Sequence, residues 1–397
     1  MSQIKIPIGP QHPALHEPES FNLTLEGEII VEAEAKLGYN HRGIEKACES
    51  RNFIQDIYLL ERICGICSHS HSTCFVQAVE EIAAVEVPLR AKYIRAIIGE
   101  LERIHSHLLW VGVAGHEVGF ETLFMYAWRD REIVMDILAW ISGNRVNYGM
   151  NTVGGVRRDI SPEILEQILG SLNTLIERTE YYTRIVTDEP TFMGRLRGVG
   201  KLSKEQALSL GAVGPIARAS GIARDVRQDD PYGAFSEIEF RISTDDHEDV
   251  LGRTVVRVHE LMESYRLLRT LIENLPEGPI AVKVPRKIPV GETLSRLEAP
   301  RGEDILYLKT NGTEMPERVK VRAPTLANLA SIREMLCGAY LADFPIIVAA
   351  IDPCFSCTDR MIRVGNGKND NLMNWQQLRE YSIEWHKKQG LDLGQIK

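Results

Sequence analysis

Apolar and polar positions alternate along residues 21–37, FNLTLEGEIIVEAEAKL. Phe21, Leu23 and Leu25 share one face before the Glu-Gly-Glu stretch. Ile29, Val31, Ala33, Ala35 and Leu37 share one face after it, so the pattern predicts a β-hairpin turning at 26–28. Beyond residue 75 the period lengthens. In YIRAIIGELERIHSHLLW (93–110), Ile94, Ile97, Ile98, Leu101, Ile104 and Leu108 recur every three or four positions, as on a helix with one buried face. Ser161-Pro162 supplies an N-cap and a first-turn proline for a second long helix, with the stripe Ile164, Leu165, Ile168, Leu169, Leu172 and Leu175. A third covers roughly 249–275, with Val255, Val258, Leu261, Met262, Tyr265, Leu268 and Ile272.

Long amphipathic helices bury their stripes against one another. The fold class is therefore mainly α (α+β), a long-helix bundle with small β elements that include the N-terminal hairpin. Residues 276–323 are rich in Pro, Gly and charge and read as irregular or β; a further helix covers 325–338. PIIVAAI (345–351), apolar throughout, reads as a short buried strand. Residues 361–397 form a polar tail with a helix at 372–388.

With 44% hydrophobic residues in 397, the chain easily builds a core, and no repeat or linker divides it. The net charge of −9 without a basic run argues against nucleic acid as a partner. No apolar run reaches the length needed to cross a bilayer, and the start lacks the apolar segment of an export signal.

The seven cysteines (48, 64, 67, 74, 337, 354 and 357) are odd in number and sparse, hence read as reduced thiols. Four of them form two C-x-x-C pairs, Cys64/Cys67 and Cys354/Cys357, separated by most of the chain. Such pairs suit zinc, nickel or iron. A structural zinc site is one reading, although it usually closes a short spacer. A local site drawn from Cys64, Cys67, His69, His71 and Cys74 is another, though cramped. A redox dithiol explains one pair only. A catalytic metal in the core accounts for the apolar flank of one pair and the histidines beside the other.

RICGIC (62–67) and DPCFSC (352–357) resemble the two cysteine motifs of the large subunit of [NiFe]-hydrogenases, and RGIE (42–45) and EAPRG (298–302) resemble two more. GPQHPALHEP (9–18), LGYNHRGIEK (37–46), GGVRRD (154–159) and ARASGIARDVRQDDPY (217–232) resemble the 49-kDa subunit of respiratory complex I, which lacks the four cysteines. Energy-converting, membrane-associated hydrogenases combine both sets. The resemblance implies a large-subunit domain over 1–360 and a tail, 361–397, either removed on maturation or kept against a partner.

It also implies roles. Cys64 and Cys354 are terminal ligands of nickel, and Cys67 and Cys357 bridge it to an iron carrying CO and cyanide. The centre interconverts protons and electrons with H2, Cys354 being the thiolate base. Glu45 relays the proton; on residues alone it is a surface glutamate paired with Arg42 or Lys46. Arg301 directs its guanidinium at the iron's diatomic ligands; the plainer alternative is an ion pair with Glu298 or Glu303. Asp352 orients Arg301 or caps the turn before Pro353. His71 donates to a cysteine sulfur. Ser106 stands where many relatives have aspartate, and Arg360 where many have histidine.

The cysteines left over are too few for an iron–sulfur cluster. The resemblance therefore implies an iron–sulfur small subunit with a [4Fe–4S] cluster, integral-membrane subunits and ferredoxin as the indirect electron source. It implies a cytoplasmic position, peripheral on the inner face of the cell membrane. A quinone- or sulfur-reducing relative without [NiFe] chemistry is the alternative.

Overall fold

The computed structural model describes residues 2–359, 363–365, 370–373 and 375–390. Strands β1 (Gln3–Ile8), β2 (Ser20–Glu26) and β3 (Ile29–Lys36) form an antiparallel sheet in that order. The hairpin is present with one strand more than its alternation predicts. Its register also differs. Leu23 faces Ala33, but a bulge past Thr24 brings Leu25 opposite Ile30. The extra residue shifts the side-chain phase. Ile30 is buried, whereas Ile29 and Val31 stand 41% and 39% exposed, against the predicted face. Ile30 N–H is tied to the Ala339 carbonyl at 2.9 Å, and its own carbonyl accepts from Gly338.

Helices α1 (Ile44–Cys48), α2 (Phe53–Glu61) and α3 (Ser68–Ile82) lead into a bundle of four: α4 (Leu89–Glu117), α5 (Glu121–Ser142), α6 (Pro162–Asp188) and α7 (Val250–Glu273). Ser161 caps α6, its Oγ accepting from Ile164 N–H, and Asp249 caps α7 through Gly252 N–H at 3.0 Å. The stretch 276–323 resolves into strands β4 (Gly291–Ala299), β5 (Gly302–Thr310) and β6 (Pro316–Arg322), an antiparallel sheet packed on α3. Helix α8 (Pro324–Leu336) follows.

PIIVAAI is not a strand. It lies in helix α9 (Phe344–Ala350), with Pro345 in its first turn. Ile346, Ile347, Val348, Ala349 and Ala350 are all buried, and a segment enclosed on every side carries no period to separate helix from strand. Helix α10 (Phe355–Thr358) comes next, then a hairpin of 363–365 with 370–372 and helix α11 (Trp375–Lys388). Among the described residues no helix is long and apolar enough to cross a membrane.

The apolar interior falls into two clusters. The larger joins the bundle, the N-terminal sheet and α9. The smaller lies between α2, α3 and the β4–β6 sheet and contains Cys64, Cys67, Cys354 and Cys357. Ile351 and Phe355 belong to the first cluster while Cys354 and Cys357 belong to the second, so this segment is pinned between both cores.

Candidate metal centre

Each cysteine pair sits where a chain segment turns into a helix. Cys64 to Cys67 link α2 to α3, with Cys67 at the N-cap position. Arg42 clamps the approach, donating from Nη1 to the Arg62 carbonyl at 2.8 Å and from Nη2 to the Ile63 carbonyl at 2.6 Å. Ile66 N–H points at Cys64 Sγ, 3.3 Å away. On the other side Cys354 is the N-cap residue of α10. Its N–H donates to Thr325 Oγ1 at 3.1 Å, and its carbonyl accepts from Thr358 Oγ1 at 2.7 Å. Glu17, in the loop before β2, accepts from the N–H groups of Phe355 and Ser356, the two residues between the cysteines.

The fold brings the two pairs together. Cys357 Sγ lies 2.7 Å from Cys354 Sγ and 3.7 Å from Cys67 Sγ. The sulfurs of Cys64, Cys354 and Cys357 lie within 4.8 Å of one another, as do the ligand atoms of Cys67, His71 and Cys357. All four cysteines are free thiols, at most 6% exposed. Hydrogen bonds from Cys354, Cys357 and Cys67 hold the Cys64 thiol well below its usual range. Burial and the neighbouring sulfurs push Cys357 well above it. Such a cluster can hold little negative charge until a soft cation joins it, and coordination removes the remaining protons. The donor set fits a thiolate-bound nickel–iron pair.

Arg301 is buried beside the sulfurs. It donates from Nε to the Asp352 carbonyl and from Nη2 to Asp352 Oδ1, both at 2.7 Å. Its Nη1 has no hydrogen-bond partner among the described residues. A buried guanidinium nitrogen without a partner is costly, and this one suits an acceptor carried by a bound group. The alternatives for Arg301 are taken up elsewhere: Glu298 pairs with Arg218 at 2.8 Å, and Glu303 pairs with Arg296 and Arg322. Asp352 itself adopts φ = +54°, a left-handed conformation that aspartate tolerates better than most residues.

The backbone behind Arg301 is closely packed. A Cβ on Gly214 (φ = +66°) would meet the Arg301 carbonyl oxygen and come within 2.5 Å of Gly302 Cα. Gly214→Ala is therefore expected to destabilise the protein by about 3 kcal/mol, combining overpacking with a disfavoured φ, and to lower activity by moving Arg301. Thermal unfolding of the variant checks this; an unchanged melting temperature contradicts it.

His71 is fully buried, with Nε2 3.3 Å from Cys357 Sγ and 3.5 Å from Cys67 Sγ. Its Nδ1 lies 2.8 Å from Asp304 Oδ2. Burial pulls the imidazole pKa down, but Asp304 outweighs it and the net shift is upward. A carboxylate behind a histidine fixes the ring and its tautomer.

Glu45 is half-buried, and its Oε1 accepts from Val321 N–H at 2.9 Å. Arg42 serves the carbonyls described above, and Lys46 pairs with Glu49. His107 sits within the bundle against Glu260, and Ser106 is fully buried. Asp352, rather than a residue at position 106, supports Arg301. Arg360 and residues 361–362, 366–369, 374 and 391–397 of the tail lie outside the described residues.

Sequence reasoning missed Arg42, Glu17, Asp304 and Thr325. Glu17 also stands beside Glu19, which is 2% exposed and is pushed up to about 9 by burial and then by Glu17 and Asp359. The Pro-rich loop around Glu17 was visible as a motif, but nothing in its spacing marks this carboxylate.

Two families match the chain. The one described as "Respiratory-chain NADH dehydrogenase, 49 Kd subunit" matches residues 117–289 and 281–360. The one described as "Nickel-dependent hydrogenase" matches residues 42–111. The membrane-bound hydrogenase subunit alpha of Pyrococcus furiosus is 45% identical over 397 aligned residues, spanning 96% of this chain and 93% of that one. The carbon monoxide-induced hydrogenase of Rhodospirillum rubrum is 41% identical over 362, spanning 91% and 100%. Among solved structures, a chain of the membrane-bound sulfane sulfur reductase, an archaeal respiratory membrane complex, superposes with a TM-score of 0.86 at 33% identity, covering 90% of this chain and 98% of that one.

Proposed function

From the premise that the chain belongs to the oxidoreductase family uniting membrane-bound hydrogenase large subunits with the 49-kDa subunit of respiratory NADH dehydrogenase, we propose that it is the catalytic subunit of a membrane-associated [NiFe]-hydrogenase. The reaction is the interconversion of H2 with protons and electrons. The observation that carries this reading is the meeting of four buried thiols from the two ends of the domain beside a guanidinium with one unpartnered donor.

Cys64, Cys67, Cys354 and Cys357 would hold the nickel–iron pair, whose iron would carry CO and cyanide. When bound, this group supplies the two-electron redox chemistry and the electrophile that weakens H2. The chain does the rest. Arg301 presents Nη1 toward the centre from a guanidinium fixed by Asp352. His71 donates from Nε2 to the sulfurs while Asp304 holds its other nitrogen. The two apolar cores exclude water from the sulfurs. Cys354 Sγ takes the proton of the heterolytic step.

Two acids then carry the proton away: Glu17, bonded to the amides between Cys354 and Cys357, and Glu45 on α1. Burial raises the Glu17 pKa above the usual carboxylate range, which keeps its protonated form accessible. Glu17→Gln and Glu45→Gln should each slow proton exchange. The double variant should lose it about 100-fold, the scale of a general acid–base contribution, with nickel and iron retained. Full exchange in the double variant would remove both acids from the route.

Electrons leave the chain. Among the described residues, Cys48, Cys74 and Cys337 belong to no group of side chains placed to hold a metal. A small subunit with a [4Fe–4S] cluster accepts them, integral-membrane subunits seat the assembly on the inner face of the cell membrane, and ferredoxin is the indirect donor. The sulfane sulfur reductase likeness favours a rival in which the same fold reduces sulfur. The purified complex should evolve H2 from a reduced low-potential donor. Sulfane sulfur reduction without H2 evolution would favour the rival.

A further inference from the structure

One buried carboxyl, on α2, has no hydrogen-bonding account among the described residues. Asp56 on α2 is 0% exposed, and neither carboxyl oxygen has a hydrogen-bond partner among the described residues. An ionised carboxylate in that position would be desolvated and uncompensated, so the folded chain favours the protonated acid. Its polar neighbour is the buried thiol of Cys48 on α1, and each group raises or lowers the other's proton affinity. Cys48 lies three residues after Glu45 in the same helix, and residues at that spacing share a face. The Glu45 charge accordingly acts on the Cys48 thiol.

We propose that Glu45, Cys48 and Asp56 form a proton relay that continues the Glu45 branch beneath the α1–α2 turn. The inference rests on the hydrogenase reading for the source of the proton. A proton on Glu45 moves to Cys48 Sγ as the thiol hydrogen moves to an ionised Asp56 oxygen. Asp56 then releases it at the turn, where Ser50 and Arg51 are exposed. At each hop one bond to hydrogen breaks as another forms, and no electron moves. Burial pushes Asp56 up to about 8, opposed by the Cys48 thiol and the Arg51 charge, so both protonation states are reachable near neutral pH.

The test uses the intact complex in the Glu17→Gln background, which leaves the Glu45 branch as the route. Adding Asp56→Asn, which keeps shape but cannot pass a proton, should lower isotope exchange between D2 and water about 100-fold, to the level of the Glu17/Glu45 double variant. Cys48→Ala should do the same, and Cys48→Ser should restore exchange because a hydroxyl also accepts and donates. Exchange that persists in Asp56→Asn overturns the relay, as does equal loss in Cys48→Ser and Cys48→Ala. A second readout is independent of metal. The infrared C=O stretch of a protonated carboxyl, sensitive to D2O, should fade as pH rises through about 8 and be missing in Asp56→Asn. Its presence in the variant overturns the assignment. A wild type without nickel or exchange would instead sink the hydrogenase reading, while the carboxyl band would still decide whether Asp56 holds a proton.

Discussion

Cys357→Ser is expected to abolish hydrogen turnover. This sulfur stands at the middle of the cluster, 2.7 Å from Cys354 Sγ, 3.7 Å from Cys67 Sγ and 3.3 Å from His71 Nε2. A serine hydroxyl is a hard donor that stays protonated at neutral pH, so it offers the metals neither a soft anion nor the reach of sulfur. The fold should survive, because Cys357 occupies one position in an apolar cluster built mainly by α2, α3 and the β4–β6 sheet. Circular dichroism should match the wild type while H2 evolution and D2 exchange fall below detection. Full activity in a well-folded Cys357→Ser protein would refute the ligand set. The same substitution at Cys74 is the control. Cys74 is equally buried and lies in the same cluster, yet its sulfur faces the Ser295 carbonyl at 3.3 Å and not the other four-thiol members named above.

Arg301→Lys is expected to lower turnover by about 100-fold, the cost typical of removing one preorganised donor from a site. The guanidinium uses Nε and Nη2 on Asp352 and keeps Nη1 for the centre. A single ammonium cannot hold both Asp352 oxygens and still present a donor in a fixed direction. Metal content should be unchanged, so the loss falls on turnover, and the infrared bands of the CO and cyanide proposed on the iron should shift as the proposed hydrogen bond changes. Asp352→Asn is expected to cost less. Asparagine tolerates the same left-handed φ, so the backbone carbonyl still accepts from Nε while the ion pair to Oδ1 is lost. Wild-type turnover with unshifted bands in Arg301→Lys would show that Arg301 serves the loop alone.

The long helices were legible because each carries one apolar stripe; Ile97, Leu101, Ile104 and Leu108 on α4 declare the period directly. Errors arose where that signal was missing or interrupted. A single bulge near Leu25 rotated Ile29 and Val31 outward, and alternation alone does not reveal an inserted residue. Helix α9 is enclosed on all sides, so its run of aliphatics carries no period that separates helix from strand. The two cysteine pairs were visible as spacing, while the roles expected of Glu45, Arg301 and His71 came from resemblance. The groups that hold them came from neither. Arg42 reaches carbonyls some twenty residues on, Glu17 bonds amides more than three hundred residues on, and Asp304 meets His71 across the β-sheet. Such contacts are made by the fold and leave no periodic mark. Asp56 is the opposite case, since a carboxylate in the middle of the FIQDIYLLE helix looks like a solvent-facing residue until its burial is known.

The most direct test of the account is elemental analysis of the chain purified within its complex. One nickel per chain, lost together with one iron from Cys357→Ser while the iron of the small subunit's cluster stays, is the predicted result. Zinc alone, or an active protein without nickel, would contradict it.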